Sequence, residues 1–164
     1  MTDEHDRSET FVVFELAGTT YALPSQSIQQ MEMVENITPV PNAPPALEGV
    51  VFSRGRVIPA LNLRVRFGFE RIPLSLRTRL IVVNVDGRTV GLIVDTAREF
   101  ISIPVEAIQA PNETISGLSG KYLEGIARMG DRIILVLDLN EIMNFAEIGI
   151  ADLQPGISVQ AETV

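Results

Sequence analysis

The 164-residue chain contains no cysteine. That excludes a disulfide framework, a thiolate metal site and a thiol nucleophile. It contains one histidine, His5, in a polar N-terminal stretch. A single tail histidine excludes a Ser-His-Asp triad and a multi-histidine metal site on this chain alone. No apolar run approaches the roughly 18 residues that a membrane span requires. The opening Met1-Thr2-Asp3-Glu4-His5-Asp6 is acidic and has no apolar h-region, so no signal peptide is expected and the expected compartment is the cytoplasm. Gly117-Leu118-Ser119-Gly120-Lys121 is not a phosphate loop. Ile115 stands where the first glycine is needed, and Tyr122 stands where Ser or Thr is needed. It reads as a flexible connection. Neither a G-x-S-x-G elbow nor a G-x-G-x-x-G fingerprint occurs. No catalytic residue, metal or cofactor is expected.

What is present is a folding chain. Hydrophobic residues make up 46% and charged residues 21%, close to a globular average. The length suits one domain with a sizeable core. A net charge of −8 argues against nucleic acid as a partner. The charge is segregated, however. From Arg54 to Arg88 there are eight arginines against two acids, a net of +6, while the rest of the chain carries −14. Twelve of the thirteen basic residues are arginine, and Lys121 is the only lysine. This segment reads either as a solvated surface or as an arginine-rich face for an acidic protein partner.

Strand signals dominate. Residues 1–10 read as a frayed tail. Phe11–Leu16 and Thr19–Leu23 flank an Ala17-Gly18 turn. Ile28–Val34 is strand-like, and Val40–Pro45 is an extended loop because its prolines cannot continue a ladder. Leu47–Phe52 and Arg56–Leu61 form a hairpin over Ser53-Arg54-Gly55. Asn62 then caps a short helix closed by Gly68. Leu80–Val85 and Arg88–Val94 pair over Asp86-Gly87, and Glu124–Met129 and Arg132–Leu137 over Gly130-Asp131. Asp138 caps a helix to about Phe145. Residues 11–145 form the expected domain, two intertwined β-barrel subdomains with a groove between them, and 146–164 a tail with some helical character.

An internal repeat organises these elements. A shift of 69 lays Phe11–Thr20 over Leu80–Thr89 with the turn glycines coincident. A shift of 76 lays Glu48-Gly49-Val50 over Glu124-Gly125-Ile126, Arg56-Val57-Ile58 over Arg132-Ile133-Ile134, and Leu61-Asn62-Leu63 over Leu137-Asp138-Leu139. Each half of about 70 residues is expected to curl into a small barrel. The two would pack side by side around a groove of the kind that binds partners.

Among candidate functional residues, Arg54 stands out. It lies at a hairpin turn, and the repeat places Gly130 at its counterpart, so the fold does not require an arginine there. Met31 and Met33 read either as core or as an adaptable protein-binding edge. Asp95 and Glu99 could form an acid/base couple in a small ligand-binding barrel. The plainer role of Asp95 is to accept hydrogen bonds from turn amides.

The pattern resembles the CheW family, adaptors that couple bacterial chemoreceptors to the histidine kinase CheA. The carrying residues are Phe14-Glu15-Leu16 with Tyr21-Ala22-Leu23-Pro24, Pro39–Pro44, Glu48–Arg64, Val90–Asp95 and Tyr122–Ala127, in order, from about Phe11 to Met143. The resemblance implies an all-β fold of two tandem five-stranded SH3-like barrels with short capping helices. It implies a non-enzymatic scaffold without cofactor. Its implied partners are the regulatory domain of a CheA-type histidine kinase and the cytoplasmic tip of methyl-accepting chemoreceptors, with self-association in arrays. There would be no membrane insertion of its own, only recruitment from the cytoplasm to membrane-anchored arrays. The family's N-L-R-G motif puts its coupling arginine on Arg54, within Phe52-Ser53-Arg54-Gly55 and beside Arg56. Its V-x-E-I segment falls on Ile28-Gln29-Gln30-Met31. Four positions depart from the pattern: Phe52-Ser53 replace Asn-Leu, Asn62 replaces Asp, and Gln30 replaces Glu. The family also contains adaptors of twitching and gliding pathways, and the kinase's own regulatory domain shares the fold. These stand as alternatives alongside the ligand-binding barrel.

Overall fold

The computed structural model describes residues 7–111 and 118–144. Eleven strands form two curled sheets. The strands are β1 (Ser8–Leu16), β2 (Thr19–Pro24), β3 (Ile28–Met33), β4 (Leu47–Ser53), β5 (Arg56–Asn62), β6 (Arg79–Val85), β7 (Arg88–Val94), β8 (Thr96–Pro104), β9 (Ile108–Gln109), β10 (Leu123–Met129) and β11 (Arg132–Leu137). Single helical turns α1 (Leu63–Arg66), α2 (Leu118–Lys121) and α3 (Leu139–Ile142) complete the elements. One sheet has the order β8-β1-β2-β11-β10-β9 and the other β3-β6-β7-β5-β4.

The four expected hairpins turn through positive φ, which the glycine in each turn adopts readily. Ala17-Gly18 (50° and 82°), Arg54-Gly55 (50° and 82°) and Asp86-Gly87 (53° and 80°) each place two consecutive residues there, and Gly130 has φ 64°. Asn62 accepts a hydrogen bond from the Val65 amide at 3.3 Å and so caps α1. Asp138 accepts from Asn140 N at 3.0 Å and caps α3. The α3 turn ends at Ile142, and Phe145, with the 146–164 tail, lies outside the described residues.

Several expectations are corrected. Residues 8–10 do not fray. They extend β1, where Ser8, Glu9 and Thr10 pair with Pro104, Ile103 and Ser102. Leu118–Lys121, read as flexible, is a helical turn, whereas Gly117 lies outside the described residues. Strand β8 gave no clear sequence signal, because only Ile103 in it is fully buried and its alternation is weak. A further repeat does mark its end. Pro24-Ser25-Gln26-Ser27-Ile28-Gln29 is matched by Pro104-Val105-Glu106-Ala107-Ile108-Gln109, and both segments make one 3-10 turn leading into a strand.

The largest correction concerns the halves. Neither half makes its own barrel. After β2 the chain crosses sheets, and β3 pairs with β6. After β7 it bends at Asp95 and crosses back, and β8 pairs with β1. Parallel pairings of β2 with β11 and of β5 with β7 join the first half to the second within each sheet. Each barrel interior is therefore mixed. Phe11, Val13 and Ala22 pack with Ile103, Ala127, Ile134 and Val136 in one. Val51, Ile58 and Ala60 pack with Leu80, Val82 and Ile93 in the other.

A third and larger core lies between the sheets and includes Val12, Phe14, Leu16, Leu61, Ile81, Val83, Leu92 and Leu137. Alternate residues of β1 and β6 thus feed different cores. Strands buried on both faces read as unbroken apolar runs, which accounts for Phe11-Val12-Val13-Phe14 and Leu80-Ile81-Val82-Val83.

The matched Glu-Gly pairs of the repeat also have a structural cause. Ladder register shifts at both, between Leu47 and Gly49 and between Leu123 and Gly125. A Cβ on Gly49 would lie 2.1 Å from the Thr38 carbonyl oxygen, and one on Gly125 would lie 2.6 Å from Ile108 Cγ2. Gly49 also has φ 151° and sits beside the Thr38–Val50 bridge. Gly49→Ala is expected to destabilise the fold by roughly 2–3 kcal/mol. Urea denaturation checks this, with a lowered midpoint as the expected outcome.

Candidate functional site

The β4–β5 hairpin tip presents Phe52, Arg54, Gly55 and Arg56 to solvent, with Phe52 74% exposed. Between them Ser53 is buried. Its hydroxyl accepts from Gln30 Nε2 at 2.7 Å and donates to Glu32 Oε2 at 3.1 Å. Gln30 Nε2 also donates to Glu32 Oε2 at 2.5 Å, and Arg56 Nη2 donates to Gln29 Oε1 at 3.2 Å. Strands β3 and β4 are the two edges of their sheet. These side chains join the edges where the backbones do not pair, and they hold the tip against β3.

The structure thus brings Gln30, Phe52, Ser53, Arg54, Gly55 and Arg56 together. It does not bring Ile28 and Met31 to that surface. Both are half-buried and pack against the inter-sheet core. The register shift between Ile28 and Gln30 turns residues three apart to the same side. Met33, by contrast, is exposed.

Arg54 has φ 50°. A left-handed backbone costs a residue with a Cβ about 1–2 kcal/mol relative to its preferred regions, and glycine, asparagine or aspartate is the usual occupant of such a turn. The Arg54 guanidinium makes no hydrogen bond or ion pair with the described residues. It therefore recovers nothing inside the fold for that strain. Ala17 holds the same φ of 50° at the corresponding turn, so what sets Arg54 apart is its exposed guanidinium without a partner among the described residues rather than its backbone.

Three of the departures from the pattern implied by the resemblance are bonded within the fold. Gln30 and Ser53 bond to each other. Asn62 Nδ2 donates to Glu48 Oε1 at 3.2 Å. An aspartate at 62 would set two carboxylates against each other there.

Much of the arginine-rich segment is engaged within the fold rather than offered to a partner. Arg64 forms a two-pronged pair with Asp95, Nε to Oδ1 and Nη2 to Oδ2 both at 2.7 Å. Arg71 Nε binds Glu48 Oε1 at 2.6 Å. Arg66 donates to the Ile142 and Glu141 carbonyls at 3.0 Å and to the Tyr122 hydroxyl at 2.8 Å. Its guanidinium also lies 4.9 Å from the Tyr122 ring centroid. Arg66 so ties α1 to the end of α3.

Asp95 lies at the bend between β7 and β8, where it also accepts from Ala17 N at 2.9 Å. Burial works to raise its pKa. The hydrogen bonds from Arg64 and Ala17 and the Arg64 charge outweigh burial and hold it below the ordinary carboxylate value. Glu99 pairs separately with Arg132 at 3.2 Å on the surface. Each carboxylate is held in its own ion pair, so the two do not form an acid/base couple. The turn-amide role of Asp95 is the one observed.

A cleft of about 310 Å³ opens between one sheet, at β2, β10 and β11, and the α1 turn with the residues that follow it. Tyr21, Leu123, Leu135 and Leu137 line one side, and Val65, Arg66, Phe67 and Phe69 line the other. Aromatic contacts run through it. Phe14–Tyr21, Tyr21–Phe67 and Phe67–Tyr122 centroids are 5.9, 5.8 and 5.0 Å apart. Burial pushes the Tyr21 hydroxyl pKa up. The sequence offered little signal for these lining residues, because they are far apart in the chain and not periodic.

Comparison with known proteins matches residues 10–147 to the CheW-like domain model. The chain is 27% identical over 144 residues to chemotaxis protein CheW of Klebsiella aerogenes, covering 88% of this chain and 87% of that one. It is 28% identical over 144 residues to chemotaxis protein CheW of Bacillus subtilis, covering 88% and 92%. It is 28% identical over 103 residues to protein FrzA of Myxococcus xanthus, covering 63% and 64%. Among solved structures it is similar to the scaffolding protein TtCheW from Thermoanaerobacter tengcongensis. That match has a TM-score of 0.78 and 31% identity, and covers 84% of this chain and 94% of that one.

Two outcomes are expected. Arg54→Asn keeps a residue at ease at positive φ and should stabilise the fold by about 1 kcal/mol in chemical denaturation. Asp95→Asn should cost about 1–3 kcal/mol at neutral pH. Because the folded-state pKa of Asp95 is depressed, its stabilisation is complete above the unfolded value of 3.8 and is lost as pH falls below it. Denaturation curves of the two proteins should therefore converge in acid.

Proposed function

Because the chain belongs to the CheW-like family, whose members are non-catalytic scaffolds of chemotaxis signalling, we propose that it couples the cytoplasmic tips of methyl-accepting chemoreceptors to the regulatory domain of a CheA-type histidine kinase. The observation that carries this reading is Arg54. It sits strained and unpaired at a hairpin tip, beside exposed Phe52 and Arg56, on a tip clasped from below by Gln30, Ser53 and Glu32. That combination suits a rigid contact surface.

The cleft between α1 and the β2-β11-β10 face supplies the second contact. A receptor tip is a helical hairpin, and an apolar groove accepts the apolar face of a helix. Each contact can be weak alone. Two on one body gain through effective concentration once the first is made. Both sheets are closed into stiff bodies by a shared core, so the protein passes on position rather than reshaping. Among the described residues no helix is long and apolar enough to cross a membrane. Association with membrane-anchored arrays would come through the receptors, with self-association there as a further contact.

A second reading is favoured by Phe52 and Ser53. These replace the family's Asn-Leu at the coupling turn, which suits an adaptor of a related chemosensory pathway, for twitching or gliding, that binds receptors without the kinase.

Calorimetric titration against the regulatory domain of a chemotaxis-type kinase from the same organism tests the first reading. A one-to-one complex is expected, with Arg54→Ala weakening it by about tenfold or more while the circular dichroism melt is not lowered. If Arg54→Ala unfolds the protein, Arg54 is structural and the assignment of the coupling site is wrong. Receptor binding without kinase binding would select the second reading.

A further inference from the structure

Between α1 and β6 the chain forms neither strand nor helix. In that stretch four large apolar side chains face solvent. Phe69, Ile72, Leu74 and Leu76 are 38%, 45%, 49% and 81% exposed. The stretch is nonetheless fixed in place. Arg64 Nη1 donates to the Glu70 carbonyl at 3.2 Å. Arg71 binds Glu48 and the Pro45 carbonyl. Ser75 N donates to Thr78 Oγ1 at 2.9 Å, and Arg79 Nη1 donates to the Leu76 carbonyl at 2.7 Å. The apolar side chains are therefore held outward on a pinned strap. Such concentrated exposure marks an interaction surface.

Three further features say what fits it. The strap is continuous with the cleft, since Phe67, Gly68 and Phe69 line that cleft. At its other end Arg79 lies opposite Met33, which is 45% exposed. Residues 69–79 carry three arginines and one glutamate in a chain of net charge −8. The Arg77 guanidinium makes no hydrogen bond or ion pair with the described residues. The strap also has no strand edge to extend, so a partner must engage it through side chains rather than by adding a strand.

We propose that this strap extends the receptor-binding surface beyond the cleft, taking the apolar stripe of an amphipathic helix whose flanks carry carboxylates. This inference rests on the receptor reading above and deepens it by giving the chemistry of the partner helix. Ile72, Leu74 and Leu76 cover the stripe, and Arg77 meets the flanking acid.

The probe is a soluble helical-hairpin fragment of a chemoreceptor tip from the same organism, titrated against the full chain. Leu74→Ser with Leu76→Ser should weaken binding by about tenfold. Arg77→Ala should weaken it severalfold at low salt, with the difference vanishing as salt screens the pair. Binding of the kinase regulatory domain by the same variants should not change. If the unmodified chain binds the fragment and the double variant binds equally well, the strap inference is overturned while the receptor reading stands. If the unmodified chain does not bind at all, both fall. Loss of kinase binding with receptor binding intact would also overturn the strap assignment. Leu76→Ser alone, at the most exposed of these positions, serves as the variant least able to disturb folding.

Discussion

The inter-sheet core is the interaction on which the rest of this structure depends. Phe14, Leu16, Ile81, Val83, Leu92 and Leu137 meet there from strands of both sheets. Burying large apolar side chains contributes about 1.5–3 kcal/mol each, and this core is larger than either barrel interior. Strands β1 and β6 serve as walls between cores, with one face turned to a barrel interior and the other to the shared core. The barrels cannot separate without exposing those faces, and each barrel also holds strands from both halves of the chain. The result is one stiff body with a cleft at the joint.

The polar groups reinforce the same joint. Arg64 and Asp95 clamp α1 to the bend where the chain crosses between sheets. Arg66 fastens α1 to the end of α3. Arg71, Glu48 and Asn62 link the strap, β4 and the helix cap. An arginine fork suits such work because its donors reach carboxylates and carbonyls in a fixed plane. With those arginines engaged, the ones left outward, Arg54 and Arg77, become conspicuous. Both stand beside exposed apolar side chains, Phe52 in one case and Leu76 in the other. Two such spots, one on a hairpin tip and one on a strap leading from the cleft, fit a protein that holds two partners in fixed relation.

Three of the four positions that depart from the pattern implied by the resemblance are tied into the frame. Gln30 and Ser53 form a mutual hydrogen bond that closes the seam between the sheet edges. Asn62 keeps the capping role of an aspartate and adds a donor toward Glu48. Gln30, Ser53 and Asn62 are each bonded to a residue distant in sequence, whereas Phe52 faces solvent.

The sequence by itself determined the local elements and the repeat. Turn glycines such as Gly18, Gly55 and Gly87 specify hairpins because glycine accepts the positive φ that the turn needs. Caps at Asn62 and Asp138 act within three residues, and the Glu-Gly pairs mark close backbone approach. Arg54 stands out in the sequence because the repeat offers a glycine for comparison. Only the tertiary structure decided which half pairs with which, that Ile28 and Met31 face inward, and which arginines are engaged. Those outcomes rest on contacts between residues far apart in the chain, such as Arg64 with Asp95 and Arg66 with Ile142. Periodicity reports which residues seek burial but not against which partner. A chain with two similar halves satisfies the same pattern whether its hairpins stay at home or exchange, and the packing of the shared core selects the exchange.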